Sequence, residues 1–177
     1  MKIVILSGSP HKHGTTSKLI ESFSRGAEEA GHEIVRFDTA FLKIHPCIAC
    51  ETCHSEKGIC AFQDDMVRVG NALAESDCVA LVTPIYYYGI CSQLKTVIDR
   101  FYAIEPQIRR SQKAVFLTAM ADDVRESVKA ANDSYLTAIG WLGWNNAGIV
   151  NAFGCSAPED LNGTEYEQKA YELGKSI

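Results

Sequence analysis

Four of the seven cysteines in this 177-residue chain lie in one short segment, and their spacing is typical of a metal site. They are Cys47, Cys50, Cys53 and Cys60, in the pattern C-x2-C-x2-C-x6-C. Two successive C-x2-C steps let one compact loop point three thiolates at three corners of an iron-sulfur cubane, and the fourth cysteine closes the set. Pro46 stiffens the entry to this cysteine loop (residues 46–60), and Gly58 allows its return turn. The spacing is compatible with a [4Fe-4S] site.

The same cysteines are compatible with three other chemistries. Residues 50–54 match the C-x-x-C-H motif of covalent haem attachment, but the apolar stretch at the chain start is too short for a secretory signal. Four cysteines can bind zinc, although structural zinc sites usually combine two separated C-x2-C knuckles. Reduced thiols or a redox disulfide under a lid loop are the third alternative. The sequence leaves the cluster and the free thiols open.

A polar segment after the first apolar run has the composition of an anion-binding loop. Residues 7–17, SGSPHKHGTTS, separate a predicted buried strand from a helix start, where free N–H groups and the helix dipole attract an anion. Four hydroxyl residues exceed what one helix cap requires: Ser9, Thr15, Thr16 and Ser17. The segment matches neither the dinucleotide fingerprint nor the Walker A loop. We therefore expect it to bind a phosphate group, with a capped helix as the alternative.

Three consecutive tyrosines follow a later buried run, within TPIYYYG at residues 83–89. Aromatic planes and exposed backbone at the end of a strand suit a flat heteroaromatic ring. Taken alone, the tyrosines fit a core or a subunit interface equally well.

These segments need a scaffold, and the apolar periodicity predicts one. Predicted strands at residues 2–7, 33–37, 78–83, 114–118 and 148–151 alternate with predicted helices at 15–30, 64–75, 92–103, 124–142 and 165–173. This alternation indicates one α/β domain over residues 1–177, a flavodoxin-like three-layer sandwich with a five-stranded parallel sheet in the order 2-1-3-4-5. The loops after strands 1, 3 and 4 would meet at the carboxyl edge of that sheet, and the cysteine loop follows strand 2 on the same edge.

Charge and hydropathy exclude some classes of partner. The net charge is -5 and the sequence has no stripe of Lys and Arg, so a nucleic-acid partner is not expected. No apolar run approaches the roughly 18 to 20 residues that span a bilayer, so no membrane partner is expected and a cytoplasmic protein is predicted. The acidic pair Asp64 and Asp65 favours a helix start. Lys95, Asp99 and Arg100 are expected to pair at the surface or between subunits.

Three motifs, taken in order, resemble those of the NAD(P)H-dependent FMN reductase family, including its iron-sulfur flavoprotein branch. They are G-S-P-x-x-x-G-x-T near the chain start, PCxxCxxC…C followed by DDM, and TPIYYxG…QLKxxIDR. The resemblance covers nearly the whole chain. It implies FMN as cofactor, NAD(P)H as electron donor, and a homodimer or homotetramer. The cysteine motif resembles the compact one of the iron-sulfur branch.

The resemblance also implies roles for individual residues. The FMN phosphate would meet Ser9, His11, Thr15 and Thr16. The flavin ring would be lined by Pro84, Ile85, Tyr86, Tyr87, Tyr88 and Gly89, with Thr118, Ala119 and Met120 on its third flank. His11 stands where many members have Arg, and Tyr87 and Tyr88 partly replace the family's glycines.

The function expected from these features is that of an FMN-dependent oxidoreductase. Hydride would pass from NAD(P)H to the flavin, and electrons would leave to a flavin, a quinone, an iron centre or another acceptor, small molecule or protein. Because the cofactor supplies the chemistry, no catalytic side chain is named. The alternative is an electron-transfer shuttle, with or without a [4Fe-4S] cluster, that lacks significant NAD(P)H turnover.

Overall fold

The computed structural model of the protein describes residues 1–55 and 59–177. Gly58, to which the sequence assigns the return turn of the cysteine loop, lies outside these residues. Among the residues described, no helix is both long and apolar enough to cross a lipid bilayer.

Strands and helices alternate along the chain, as the apolar periodicity predicts. The strands are β1 (Lys2–Ser7), β2 (Glu33–Asp38), β3 (Cys78–Tyr86), β4 (Gly89–Ile90), β5 (Lys113–Ala119) and β6 (Asn145–Ala152). The α-helices are α1 (Thr15–Glu29), α2 (Met66–Ala74), α3 (Ser92–Asp99), α4 (Glu105–Ile108), α5 (Lys129–Leu142) and α6 (Tyr166–Ser176). A 3-10 turn over Arg100–Ala103 continues α3.

The strands form one sheet in the order β2-β1-β3-β5-β6, with parallel pairing between all neighbours along this path. This confirms the predicted flavodoxin-like order, since β5 and β6 are the fourth and fifth parallel strands. One detail differs from the prediction. β3 runs three residues past Thr83 and turns back as the short antiparallel strand β4, which adds a sixth strand.

Apolar side chains fill both faces of the sheet. In β1, Ile3 and Ile5 face a core built with α1 and α6, whereas Val4 and Leu6 face a core built with α2, α3 and α5. Successive side chains of the strand point to opposite faces of the sheet, and both faces are buried. This explains why the apolar run in the sequence is continuous. Because the central strands are parallel, their carboxyl ends open on one edge, and the loops that leave this edge form the site described next.

Candidate functional site

A cleft of about 710 Å³ opens at the carboxyl edge of the sheet. Four segments line this edge cleft: residues 9–16 after β1, 84–86 at the end of β3, 119–121 after β5 and 155–158 after β6. Its volume lies within the range of about 300–1,000 Å³ that is usual for small-molecule sites. The fold therefore brings the predicted phosphate loop and part of the tyrosine segment into one cavity.

One end of the edge cleft is the N-terminus of α1. The hydroxyl groups of Thr15 and Thr16 are buried there and have no hydrogen-bond partner among the residues that the structure describes. Gly14 precedes the helix and offers no side-chain cap. A buried donor left unpaired costs about 1–3 kcal/mol. An anion here would accept from both hydroxyls and meet the positive end of the helix dipole, so this end of the cleft fits a phosphate group.

The loop after β1 lies directly on α3, and a glycine makes the approach possible. The Gly8 N–H donates to the Val82 carbonyl at 2.8 Å, and the Cys91 thiol donates to the Gly8 carbonyl at 3.2 Å. A Cβ added to Gly8 would lie 2.5 Å from Cys91 Sγ and 2.7 Å from Leu94 Cβ. Any larger residue would push the loop away from α3, so Gly8 fixes the position of the phosphate-binding end.

The other wall of the edge cleft comes from the ends of β3 and β5. Pro84, Ile85 and Tyr86 line it on one side, and Ala119 and Met120 line it on the other. Partial burial raises the pKa of the Tyr86 phenol. These mostly apolar surfaces fit a planar ring.

Five of the residues predicted to bind the cofactor do not line the edge cleft: Ser17, Thr118, Tyr87, Tyr88 and Gly89. Ser17 is buried in the scaffold, where its hydroxyl donates to the Lys12 carbonyl at 2.6 Å and accepts from Arg36 Nη2 at 2.9 Å. Thr118 is also buried and donates to Asn151 Oδ1 at 2.8 Å. Both side chains thus form hydrogen bonds within the protein next to the segments that line the cleft.

Tyr87 and Tyr88 form the tip of the hairpin between β3 and β4. Their φ angles are 46° and 65°, and left-handed conformations at both central residues are the mark of a type I′ turn, which usually contains Asn-Gly. Both side chains are exposed. With Ile85 and Met120 they border a shallower depression of about 280 Å³ beside the edge cleft.

The four cysteines of the cysteine loop line a second cavity, which lies away from the edge cleft. We call it the cysteine cavity; its walls include Cys47, Cys50, Cys53, Cys60, Arg100 and Tyr102. All seven thiols of the chain are free. The four candidate ligands therefore lie around one space.

The backbone around Cys50 is strained and its thiol is polarised. Ala49 and Glu51 have φ angles of 53° and 58°, a conformation that costs non-glycine residues of order 1–3 kcal/mol and is common at ligand sites. The Thr52 hydroxyl donates to Cys50 Sγ at 3.3 Å and lowers the pKa of that thiol, which favours the metal-binding thiolate. Burial has the opposite effect on Cys53 and raises its pKa.

Arg100 closes the base of the cysteine loop from α3. Its Nη1 donates to the His45 carbonyl at 2.7 Å, its Nη2 donates to the Phe62 carbonyl at 3.3 Å, and both groups donate to Asp64. Burial would lower the pKa of Arg100, but the hydrogen bonds and charge of Asp64, with a smaller contribution from Cys60, hold it above the ordinary value. The prediction that Arg100 pairs at the surface or between subunits is wrong, since its side chain is 2% exposed and its partner lies in the same chain.

Tyr102 holds the middle of the cysteine loop. Its hydroxyl donates to Glu51 Oε2 at 2.9 Å, and its ring stacks on His54 with the ring centres 4.2 Å apart. Arg100 and Tyr102 belong to the same 3-10 turn, so one short element supports both the base and the middle of the loop.

The described side chains do not form a preassembled site for a single metal ion. Across residues 1–55 and 59–177, no three Cys, His, Asp or Glu side chains converge closely enough to hold one metal ion. Zinc needs its sulfur ligands about 2.3 Å from one point. A cubane is wider, because its iron-sulfide core stands between the cysteine ligands. Four thiols spread around one cavity are compatible with that wider arrangement.

Comparison with known sequences decides the family. Residues 1–153 match the family described as NADPH-dependent FMN reductase. The chain belongs to this family. Its members are oxidoreductases that use FMN and a reduced nicotinamide, and this chain is an FMN-dependent oxidoreductase by that membership.

Relatives within the FMN reductase family include iron-sulfur flavoproteins of archaea. One from Archaeoglobus fulgidus is 31% identical over 179 residues, covering 100% of this chain and 79% of the relative. Another, from Methanocaldococcus jannaschii, is 34% identical over 100 residues, covering 56% of this chain and 51% of the relative. The chain thus spans from about half to about four-fifths of these relatives. An NAD(P)H:quinone oxidoreductase from Methanothermobacter marburgensis shares the fold, with a TM-score of 0.75 at 19% identity over 99% of this chain and 95% of the other.

Two parts of the candidate site have no local signal in the sequence. The segment after β6, residues 155–158, lines the edge cleft and is tied to it by hydrogen bonds from Cys155 N to Met120 O at 2.7 Å and from Lys18 Nζ to Pro158 O at 3.0 Å. The predicted strand order was a usable signal, because it places the end of β6 on the same edge. Arg100 was the second omission, since its partner Asp64 lies 36 residues earlier in the chain.

Proposed function

We propose that the edge cleft binds FMN and that the protein passes electrons from NAD(P)H through it to a small-molecule or protein acceptor, such as a flavin, a quinone or an iron centre. The observation that supports this most strongly is the pair of buried, unpartnered hydroxyls of Thr15 and Thr16 at the N-terminus of α1. Two unmatched donors beside a helix N-terminus suit the FMN phosphate, the charged end of that cofactor.

Ser9 and His11 shape the phosphate end in this proposal. The Ser9 hydroxyl accepts from the His11 N–H at 3.1 Å, which bends the loop so that residues 9–16 border the cleft. His11 and Lys12 both line this end of the cleft, and the Lys12 ammonium lies over the Phe41 ring, 4.7 Å from its centre. A cation near this end would favour a dianionic ligand. The roles of these residues are binding and orientation.

The isoalloxazine ring would lie between two walls, with Pro84, Ile85 and Tyr86 on one side and Ala119 and Met120 on the other. FMN, when bound, supplies the chemistry of hydride acceptance from a reduced nicotinamide and electron release to an acceptor. The chain's own contribution is to hold the ring, to exclude water from its buried side and to leave the other side open toward the tyrosine hairpin. No proton has to be moved by a side chain, so we assign no acid or base.

The cysteine cavity is our proposed site for a [4Fe-4S] cluster, with Cys47, Cys50, Cys53 and Cys60 as ligands. The support is the chemistry of the donor set: four thiols around one cavity, one of them polarised toward the thiolate, in a loop fixed by Arg100 and Tyr102. A bound cluster would supply single-electron transfer. None of the four cysteines lines the edge cleft, so the two centres are separate parts of the described chain.

Steady-state kinetics test the proposed function. The protein is saturated with FMN, and oxidation of NADPH and NADH is followed anaerobically with a quinone, free FMN or ferric chelate as acceptor. We expect turnover that depends on FMN and on one of these acceptors. Tight FMN binding with negligible turnover would instead support the electron shuttle.

Metal analysis tests the cluster separately. Anaerobically purified protein should contain iron and acid-labile sulfide in equal amounts, about four of each per chain, with broad visible absorption beyond the flavin bands. A spectrum with only flavin bands after anaerobic reconstitution would contradict the cluster proposal and leave the FMN proposal unaffected. A homodimer or homotetramer stays a prediction, which light scattering can check.

A further inference from the structure

Arg100 is a buried cation in a protein whose other ion pairs, among the residues described, lie nearer the surface. Its side chain is 2% exposed and that of its partner Asp64 is 16% exposed. Burying a guanidinium group is costly unless its charge and donors are matched, so its retention here calls for a reason beyond stability.

The contacts of Arg100 span the cysteine loop. Nη1 bonds the carbonyl of His45, just before the loop, and Nη2 bonds the carbonyl of Phe62, just after it. The rings of His45 and Phe62 also stack, with their centres 3.9 Å apart and their planes 15° from parallel. One side chain therefore joins the two ends of the loop that presents the four cysteines.

One donor of Arg100 remains without a partner. Nε is buried and finds no hydrogen-bond acceptor among the residues that the structure describes. Cys60 and Arg100 both line the cysteine cavity. A neutral thiol is a weak acceptor, whereas a metal-bound thiolate is charged and accepts strongly. The leftover N–H thus matches a sulfur ligand better than it matches the free thiol.

We propose that Arg100 is a positioning residue of the cysteine centre, which ties the two ends of the loop together and, through its Nε–H and its charge, favours the reduced state of a cluster bound through Cys60. The inference rests on the proposed cluster. Hydrogen bonds to ligand sulfurs and net charge are the factors by which proteins tune the potentials of iron-sulfur clusters. Removing the donor or the positive charge makes the reduced cluster less stable, and removing the negative charge of Asp64 does the reverse.

Two variants with opposite expected effects test this. Arg100→Lys keeps a charge but loses the planar fork and Nε–H, so less iron should be retained after anaerobic reconstitution and the midpoint potential should become more negative. Asp64→Asn leaves the guanidinium in place and removes its counter-charge, so the potential should become more positive. Arg109→Lys is the matched control, because Arg109 is exposed and pairs with Glu105, the first residue of α4. The iron content and potential of this variant should equal those of the wild type.

Hydrogen exchange on the iron-free protein tests whether Arg100 holds the ends of the cysteine loop together. The backbone amides of residues 45–55 and 59–62 should exchange faster in Arg100→Lys than in the wild type and in Arg109→Lys. The affinity for FMN should be the same in all three proteins.

Opposite shifts of the potential would support tuning by the Nε–H donor and by the local charge, since simple loosening of the loop would move both variants the same way. Equal iron content and potential in wild type and Arg100→Lys would overturn the inference. If the wild type binds no iron, the cluster proposal and the tuning role fail together, and the exchange experiment still decides whether Arg100 closes the loop.

Discussion

Arg100 and Asp64 form a buried ion pair, with Nη1 2.8 Å from Oδ2, that joins the end of α3 to the exit of the cysteine loop. Asp64 also accepts from the backbone N–H groups of His45 at 2.8 Å and Met66 at 3.0 Å. A single carboxylate thereby fixes the entry of the loop, its exit and the first turn of α2. The pair therefore ties both ends of the cysteine loop to the folded domain.

The pair makes stability depend on pH in a defined direction. Burial alone would raise the pKa of Asp64, but Arg100 and the two backbone donors outweigh it and lower the pKa. Its contribution is therefore fully present above about pH 4, the ordinary aspartate value, and is lost as pH falls through the lower folded value. Urea unfolding from pH 7 to pH 3 should show a steeper loss in the wild type than in Asp64→Asn. Parallel profiles for the two proteins would contradict this.

At neutral pH, removing the carboxylate leaves the Arg100 charge buried without its partner. Asp64→Ala should lower the free energy of unfolding by about 3 kcal/mol. The control is Asp99→Ala, which removes the exposed partner of Lys95 and should cost under about 1 kcal/mol. Similar losses in both variants would show that burial of the Asp64 pair has no special weight.

Tyr87 offers a test of backbone strain. Its side chain is fully exposed and its φ is 46°, so the residue gains no burial and adopts a conformation that glycine tolerates better. Tyr87→Gly should raise the free energy of unfolding by about 0.5–1 kcal/mol, and Tyr87→Val should lower it. Leu136→Gly, a half-exposed position inside α5, should instead destabilise by about 1 kcal/mol. A destabilised Tyr87→Gly would mean that the tyrosine ring makes contacts that outweigh the strain.

Gly8 offers a test of the close approach to α3. A methyl group at this position would lie 2.5 Å from Cys91 Sγ and 2.7 Å from Leu94 Cβ, both buried. Gly8→Ala should lower the free energy of unfolding by about 2 kcal/mol and weaken FMN binding, because the phosphate loop must move. In a Cys91→Ala background the loss should be smaller but not absent, since Leu94 remains. Additive effects of the two changes would show that Gly8 and Cys91 do not press on each other.

The layout of the sheet follows from local sequence, and this is why it was predictable. Each strand is a short β-branched run, each helix shows its own period, and parallel strands have few possible orders, so the edge and its loops could be located in advance. The same local patterns placed residues 9–16 and 84–86 at the cleft.

The rest of the site could not be read from local sequence, because it depends on tertiary contacts. The tyrosine segment predicts a single ring-binding stretch, but β3 continues past Thr83 and folds back, which carries Tyr87 and Tyr88 beyond the cleft. In the sequence, Ser17 resembles the other candidate phosphate donors. In the structure, its hydroxyl instead accepts a hydrogen bond from Arg36 of β2. Arg100 follows the last turn of a helix, where a charged side chain is usually solvated. It is buried here because the two ends of the cysteine loop pack against it, a contact that local sequence does not show.

The central claim is that the edge cleft holds FMN with its phosphate at the N-terminus of α1, and a comparison of FMN with riboflavin tests it most directly. Each lost hydrogen bond to a charged group is worth about 1.5–3 kcal/mol, so Thr15→Val and Thr16→Val should each weaken FMN binding by about 10-fold or more. Neither change should affect riboflavin, which lacks the phosphate, and Thr96→Val, whose hydroxyl bonds the Ser92 carbonyl of its own helix, should leave both ligands unaffected. Calorimetric titration showing this pattern would support the account; FMN affinity unchanged in both threonine variants, or riboflavin binding as tightly as FMN to the wild type, would contradict it.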